Sequence, residues 1–566
     1  MRRRWATLVG ALNEPGWAWI ALGGAMLVSA WLIARTAHGQ SLAVDELTYY
    51  GRVVHKSGQL VHYEPFQLEY LLAPYNGHLV LGGRLVYEAI FATVGADYGV
   101  LLAVHIVGLL LCVGLAFELM RRWVGPLAAL PPCVLLLFLG FASETLLWPF
   151  NLHSTYALAL SLAAVLALQR ESRGGDVAAC ALLAASVATL EIGLAFAAGI
   201  GVWLLSGERR LHRIWIVAVP VVLYAGWWVW ADHFDQSEAS LANLTLVPKT
   251  IFDALASTMG ALTGTDPVMP TSYTTAITWF GRGIGILAAT ALAVRLWRRP
   301  APRLIWALLT ALAVYWIFLA AAERGPEAGR YLFVSALLTV LVGTYALRSP
   351  PSGRLTAAIA IVAVIALPPN IEQLTLDRSE DTIHREAPIS RTEFAMLELA
   401  EDHVDPRYRV NLDHKVAQIG GGLFIGLSAR AYLDAAAHNG SLGYSLDQVR
   451  SQAPDIRRIA DAALIGALGV TLRPSPPKQR DGCGFHSPPP GASGVEFDVS
   501  TGATSIRSHS RAAIPLGLRR FGDDSSSVVA GELRPHAWMV LRIPRDSATD
   551  PWHAVVEDPV EVCSGD

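Results

Sequence analysis

Three groups of polar residues in this chain have the types and spacing for proton transfer and for holding an anion. The first is the adjacent pair Asp45-Glu46, within Val44-Asp45-Glu46-Leu47-Thr48-Tyr49-Tyr50. The second runs from Pro74-Tyr75-Asn76-Gly77-His78-Leu79 to Gly82-Gly83-Arg84. The third is Glu323-Arg324-Gly325-Pro326-Glu327-Ala328-Gly329-Arg330-Tyr331. Glu144, Trp148, Asn151 and His153 form a smaller cluster, and Glu191 interrupts an apolar block. A carboxylate can take a proton from a hydroxyl, and Arg or His can meet a phosphate with charge-assisted hydrogen bonds.

Each group also has a plainer structural reading. Asp and Glu stabilise a helix N-terminus, an Arg at the end of a span anchors it at the interface, and an acid at membrane depth pairs with a neighbouring helix. His55, His62 and His78 lack the spacing of a metal site. Gly420-Gly421-Gly422 is followed by no Lys-Ser/Thr, so it does not make a phosphate loop.

The elements that carry these residues are set by hydropathy. Of 566 residues 53% are hydrophobic and 16% charged, against about a quarter charged in soluble proteins. The net charge of −3 excludes a large nucleic-acid surface. Apolar blocks near 16–34, 98–119, 125–142, 152–168, 177–205, 214–231, 276–296, 303–322, 331–347 and 354–368 approach or reach the length of a spanning helix. The start Arg2-Arg3-Arg4 and the links at Arg121-Arg122, Arg170/Arg173, Arg209-Arg210/Arg213, Arg295/Arg298-Arg299/Arg303 and Arg348/Arg354 are basic, whereas links 143–151 and 232–275 carry almost no Lys or Arg. Basic links are cytoplasmic. Block 177–205 has basic flanks at both ends, so it enters and returns as two helices turning near Glu191. The count is then about 11 transmembrane helices, with the N-terminus inside and everything after residue 369 outside. Arg2-Arg3-Arg4 also fits the start of a signal peptide, but no small-residue cleavage site follows. On this topology the acidic pair, His78, Glu191 and the Arg324–Arg330 segment all lie on the outer face.

The fold expected is therefore an all-α polytopic membrane domain over 1–369, with a long first outer loop at 35–97. An extracytoplasmic α/β portion (370–480) and a small β portion (481–566) follow. Ser390-Arg391-Thr392-Glu393 and Ser445-Leu446-Asp447-Gln448 read as capping boxes. The first predicts a helix to about His403, the second a helix towards Leu468 interrupted at Ala453-Pro454. Val495-Glu496-Phe497-Asp498-Val499 and Trp538-Met539-Val540-Leu541-Arg542-Ile543 read as strands. Cys112, Cys133 and Cys180 lie in spans, and Cys483 and Cys563 bracket the β portion, where an oxidising compartment would pair them.

A first span, an Asp-Glu pair opening a long outer loop, and a Gly-His-Leu element before the second span resemble the GT-C glycosyltransferase superfamily. The protein O-mannosyltransferase and aminoarabinose-transferase branch is the most similar. Asp45-Glu46 match that branch's Asp-Glu, while Asn76-Gly77-His78-Leu79 match its His-Pro-Pro-Leu element at His and Leu only. Gly329-Arg330-Tyr331 resembles an Arg-Tyr element before a late span. The likeness covers the membrane part, most strongly residues 17–120.

The resemblance implies inverting transfer of a sugar from a polyprenyl-phosphate carrier to the hydroxyl of a glycan, lipid or protein acceptor at the surface of the cell's inner membrane. It makes Asp45 the general base and Glu46 a second acid. Arg330 and Arg324, with Arg84 or His78, would meet the leaving phosphate, and His153, Glu191 and Tyr331 would complete the substrate contacts. A divalent cation held by Asp45 or Glu46 would serve instead. Two other readings compete: a transporter or flippase of a lipid-linked glycan, which intramembrane charge would suit, and a non-catalytic envelope scaffold.

Overall fold

The computed structural model describes residues 15–42, 45–56, 59–207, 210–234, 240–268, 277–347, 349–380, 382–406, 408, 427–475, 483–490, 494–523 and 527–564. Val44 and the Gly420–Gly422 run lie outside the described residues. The chain divides into two compact units. The membrane unit comprises 1–38, 54–93 and 97–381, and the tail unit 39–53, 94–96 and 382–566.

The chain opens with helix α1 (Pro15–Thr36) and the short α2 (Asp45–Tyr50), followed by the two-stranded sheet β1 (Val53–Lys56) and β2 (Gln59–His62). Then come α3 (Leu68–Leu72), α4 (Leu81–Val94), α5 (Tyr98–Val124), α6 (Pro126–Leu137), α7 (Ser143–Leu147), α8 (Leu152–Leu168), α9 (Arg173–Thr189) and α10 (Ile192–Leu205). After α11 (Arg210–Arg213) the remaining membrane helices are α12 (Trp215–Ala231), α13 (Val247–Thr263), α14 (Trp279–Arg298), α15 (Arg303–Ala321), α16 (Gly329–Leu347) and α17 (Gly353–Glu380).

Every predicted apolar block is helical, and block 177–205 is two helices, α9 and α10, broken at Leu190-Glu191. Among the described residues seven helices are individually long and apolar enough to cross a membrane, or eight if α6 and the bent segment Gly140–Leu147 form one span, kinked by 47°. Helices α10 and α12 are shorter apolar segments. Polar residues open several helices: Asp97 accepts from Val100 N, Ser172 from Gly175 N and Thr278 from Gly281 N. Arg121-Arg122 and Arg295/Arg298 close α5 and α14, where cations complement the helix dipole.

Helix α13 is an addition: sequence reading left it inside an outer link, yet it packs on α14, α15, α16 and α17. Asn370, fully buried, fastens this region by donating to Ala261 O (3.0 Å) and Ala366 O (2.9 Å). Small residues let helices touch. A Cβ on Gly199 would lie 2.3 Å from Ala307 O, so α10 and α15 meet backbone to backbone.

The tail unit contributes α18 (Thr382–Leu399), α19 (Ala429–Asn439), α20 (Leu446–Arg450) and α21 (Pro454–Leu468). Strands β3 (Thr471–Pro474), β4 (Cys483–His486), β5 (Val495–Val499), β6 (Gly502–Ser508), β7 (Ile514–Arg519), β8 (Val528–Leu533), β9 (Trp538–Ile543), β10 (Trp552–Val556) and β11 (Val560–Ser564) follow. They form two antiparallel sheets in the orders β5-β10-β7-β8 and β3-β9-β6-β11-β4. Cys483 and Cys563 are register partners on β4 and β11 and form a disulfide.

The Ser445 capping box is formed with Gln448, and the helix after it breaks before Pro454. The other capping reading is corrected: Ser390 and Glu393 are buried within α18, which starts eight residues earlier and ends at Leu399. Packing of Thr392, Phe394 and Met396 against neighbours that include α21 outweighs the local stop signal. Asp461 on α21 ties the helices to the sheets by accepting from Phe521 N and Gly522 N, both at 2.9 Å.

Candidate active site

His78 is placed by a two-residue turn. Asn76 and Gly77 both have positive φ (48° and 80°), and Tyr75 and His78 exchange backbone hydrogen bonds of 2.9 and 2.8 Å. That is the pattern of a type I′ turn, which Asn-Gly adopts at least cost. The turn brings His78 Nδ1 to 2.9 Å from Glu191 Oε2. Glu191 sits at the N-cap of α10, after Leu190 extends the chain out of α9 (φ −166°, ψ 154°). The reversal is tight, since a Cβ on Gly193 would lie 2.5 Å from Val187 N.

Beside this pair the membrane unit holds a cavity of about 430 Å³. Tyr224, Trp228, Tyr315, Phe318 and Tyr331 give it an aromatic wall, and His78, Glu191 and Arg324 are its charged or ionisable groups. Arg324 follows the end of α15, where Glu323 turns with φ 52° and Arg324 N donates to Leu319 O at 2.8 Å. The lining is apolar with a few convergent polar groups, the usual make-up of a small-molecule site.

Arg330 is held by an acid. Its Nη1 lies 3.5 Å from Glu144 Oε1, its backbone N donates to Glu144 Oε2 at 3.1 Å, and its guanidinium lies 5.3 Å from the Tyr331 ring centroid. Glu144 therefore both pairs with Arg330 and satisfies an amide in the first turn of α16.

Sequence reading put Arg84 and His153 among the substrate contacts, and the structure places both in the layer beneath. Arg84 is 1% exposed and donates from Nη1 to Tyr70 O (2.6 Å) and to Ala73 O, with its guanidinium over the Tyr70 ring. His153 is buried, with Nδ1 2.6 Å from Phe150 O and its ring stacked on Tyr87. Gly83 has no side chain because one would overlap the His153 ring. Neither residue lines the cavity.

Asp45 and Glu46 open α2, in the tail unit rather than with the cavity residues. Glu46 is fully buried, whereas Asp45 is half-buried and so the better placed of the two to meet a substrate. Among the described residues no three His, Cys, Asp or Glu side chains gather as a metal site.

The structure thus brings together His78, Glu191, Arg324 and Tyr331, and separately Glu144 with Arg330. Tyr224, Tyr315 and Phe318 were not legible as site residues, because an aromatic within an apolar span carries no signal beyond packing.

No protein-family model matches the chain, and no curated protein matches it. Among solved structures, the crystal structure of ArnT from Cupriavidus metallidurans bound to undecaprenyl phosphate is similar. It is 14% identical, with a TM-score of 0.39, over 70% of this chain and 82% of that one.

Proposed function

We propose that this membrane protein is a GT-C type glycosyltransferase that moves a sugar from a polyprenyl-phosphate carrier to an acceptor hydroxyl at the extracytoplasmic face. The observation that carries the reading is the cavity. An aromatic and aliphatic wall meets Arg324 and the His78–Glu191 pair in one lumen, which suits a molecule that is half lipid and half charged headgroup. In this reading the N-terminus is inside and the tail outside, the orientation that the basic links favour. The Cys483–Cys563 disulfide supports an oxidising compartment for the tail.

The reaction is one displacement with inversion. Asp45 takes the proton of the acceptor hydroxyl, whose oxygen bonds to the sugar's anomeric carbon. The bond from that carbon to the phosphate oxygen breaks, and the phosphate leaves with the electron pair. Among the cavity residues Arg324 is the cation suited to a phosphate's negative charge, and Glu191 fixes the orientation of the His78 imidazole in that lumen.

The test is reconstitution of the full chain in liposomes with radiolabelled polyprenyl-phosphate hexoses and pentoses and an envelope-glycan acceptor fraction. A transferase consumes one of these lipids and releases polyprenyl phosphate. Asp45→Asn should lower turnover about 10³-fold, within the range for loss of a general base, with unchanged thermal stability. Labelled lipid that crosses the bilayer intact, without product, would replace this reading with transport.

A further inference from the structure

Helix α2 spans Asp45–Tyr50, six residues. A helix that short does not hold itself together in water. Its direction, and with it the position of Asp45 about 7.5 Å along the axis from Tyr50, depends on what grips its C-terminal end. Hydrogen bonds there run within the tail unit to Asn439, at the end of α19 and 4% exposed.

Asn439 binds two separate segments at once. Its Nδ2 donates to Tyr50 O (3.3 Å) and its Oδ1 accepts from Arg52 Nη2 (3.2 Å). Its backbone carbonyl accepts from Ala96 N at 2.7 Å. The approach at Gly95 is so close that a Cβ there would lie 2.7 Å from that carbonyl, and Gly95 has φ +76°.

A second layer backs the first. Tyr50 OH donates to Gly440 O at 2.7 Å, and its ring lies 5.9 Å from that of Tyr432. Tyr432 stacks on Phe394 at 4.3 Å, and its hydroxyl donates to Glu398 Oε1 at 2.5 Å. Arg52 sits at φ 47°, a left-handed conformation that a side-chain-bearing residue keeps only where its surroundings over-determine it. Asn439 Oδ1 supplies one fixed partner for the Arg52 guanidinium.

We infer that Asn439 is a positioning residue: through Tyr50 and Arg52 the tail sets where the Asp45 carboxylate lies. The tail is then a working part of the transferase and not an appended module. This rests on the reading of Asp45 as the base.

The experiment uses the full chain in nanodiscs, with Asp45→Cys as a reporter for a membrane-impermeant maleimide. Val529→Cys, on an exposed strand position of the tail, is the control. In an Asn439→Ala background the Asp45→Cys labelling rate should change about tenfold or more, the scale expected when buried partners are left unsatisfied. The Val529→Cys rate should stay the same. Asn439→Asp, which keeps the acceptor for Arg52, should fall between. With Asp45 intact, Asn439→Ala should lower kcat for the radiolabelled polyprenyl-phosphate sugars with KM unchanged.

Tyr50→Phe removes only one hydroxyl and decides the matter if Asn439→Ala fails to fold. It should shift the labelling in the same direction by less. Identical Asp45→Cys labelling in every background overturns the inference. If Asp45→Asn keeps full turnover while Asn439→Ala still alters labelling, the base assignment falls and the positioning seam stands.

Discussion

In the membrane unit, Trp297, Leu287 and Val364 stand exposed on helix faces. In the tail unit the outward positions of β5 are Glu496 and Asp498, alternating with buried Val495, Phe497 and Val499. Both units bury their backbone hydrogen bonds, one mainly inside helices and one both inside helices and across antiparallel ladders. The difference lies outside them: apolar side chains face lipid in the first, and charged side chains face water in the second. Polar fastening differs too. The bundle adds single neutral groups such as Asn370, which reaches two carbonyls, to ion pairs such as Glu144 with Arg330. The tail uses charge-assisted sets: Asp461 on two backbone amides, and Arg520 paired with Asp546 at 2.6 Å while donating to Asp550 O and Ala548 O.

If this contrast is right, damage to either unit should stay there. The largest effect should follow removal of the disulfide by Cys483→Ser with Cys563→Ser. The bond closes a segment with a sequence separation of 80, so the tail should lose about 4.5 kcal/mol in the chain-entropy model. Differential scanning calorimetry with and without reductant should show a tail transition that drops while the bundle transition holds. A single transition that moves as one would break the comparison.

A mirror-image change is Gly140→Ala. The added Cβ would lie 1.7 Å from Asn370 O, and neither backbone can yield without parting the surrounding helices. The expected cost is about 2 kcal/mol or somewhat more, borne by the bundle alone. Detergent melts that follow bundle and tail separately would read it, and an unchanged bundle would argue that this crossing is loose.

The smallest effect sharpens the comparison through pH. Arg450, hydrogen-bonded to Asp550, holds that carboxyl below the usual carboxylate range. A depressed carboxyl contributes stability that is present above its unfolded value of ~3.9 and lost as pH falls through the folded one. Burial pushes the Asp461 carboxyl up, so its contribution has the opposite sign and weakens as pH rises through the raised value. Asp550→Asn should therefore flatten the acid limb of tail stability below the unfolded carboxyl's value of ~3.9. An acid limb of the same steepness in that variant would assign it to other groups.

Much of the fold was legible. Basic flanks on both sides of block 177–205 required a reversal, and the chain does break at Glu191. Ser445 with Gln448 announced a helix start, and Pro454 a break. These are local signals, read from a few neighbouring residues or from the sign of a flanking charge. The Ser390 box was equally local and misled, because α18 is decided by burial of its far side. The outer link at 232–275 hid α13, whose helix is stabilised by four neighbours that no local pattern reports.

By itself the sequence determined which apolar blocks are helical and which residues have side chains suited to the chemistry proposed: Asp45, Glu46, His78, Glu191, Arg324 and Arg330. Hydropathy and charge act residue by residue, so they survive without a fold. Only the tertiary structure decided their company. It set His78 on Glu191 beside an aromatic cavity, gave Arg330 to Glu144, sank Arg84 into the scaffold, and placed Asp45 in the tail unit. Those outcomes depend on pairs of residues far apart in the chain, such as Arg52 with Asn439, whose hydrogen bond forms only once packing has brought them within reach.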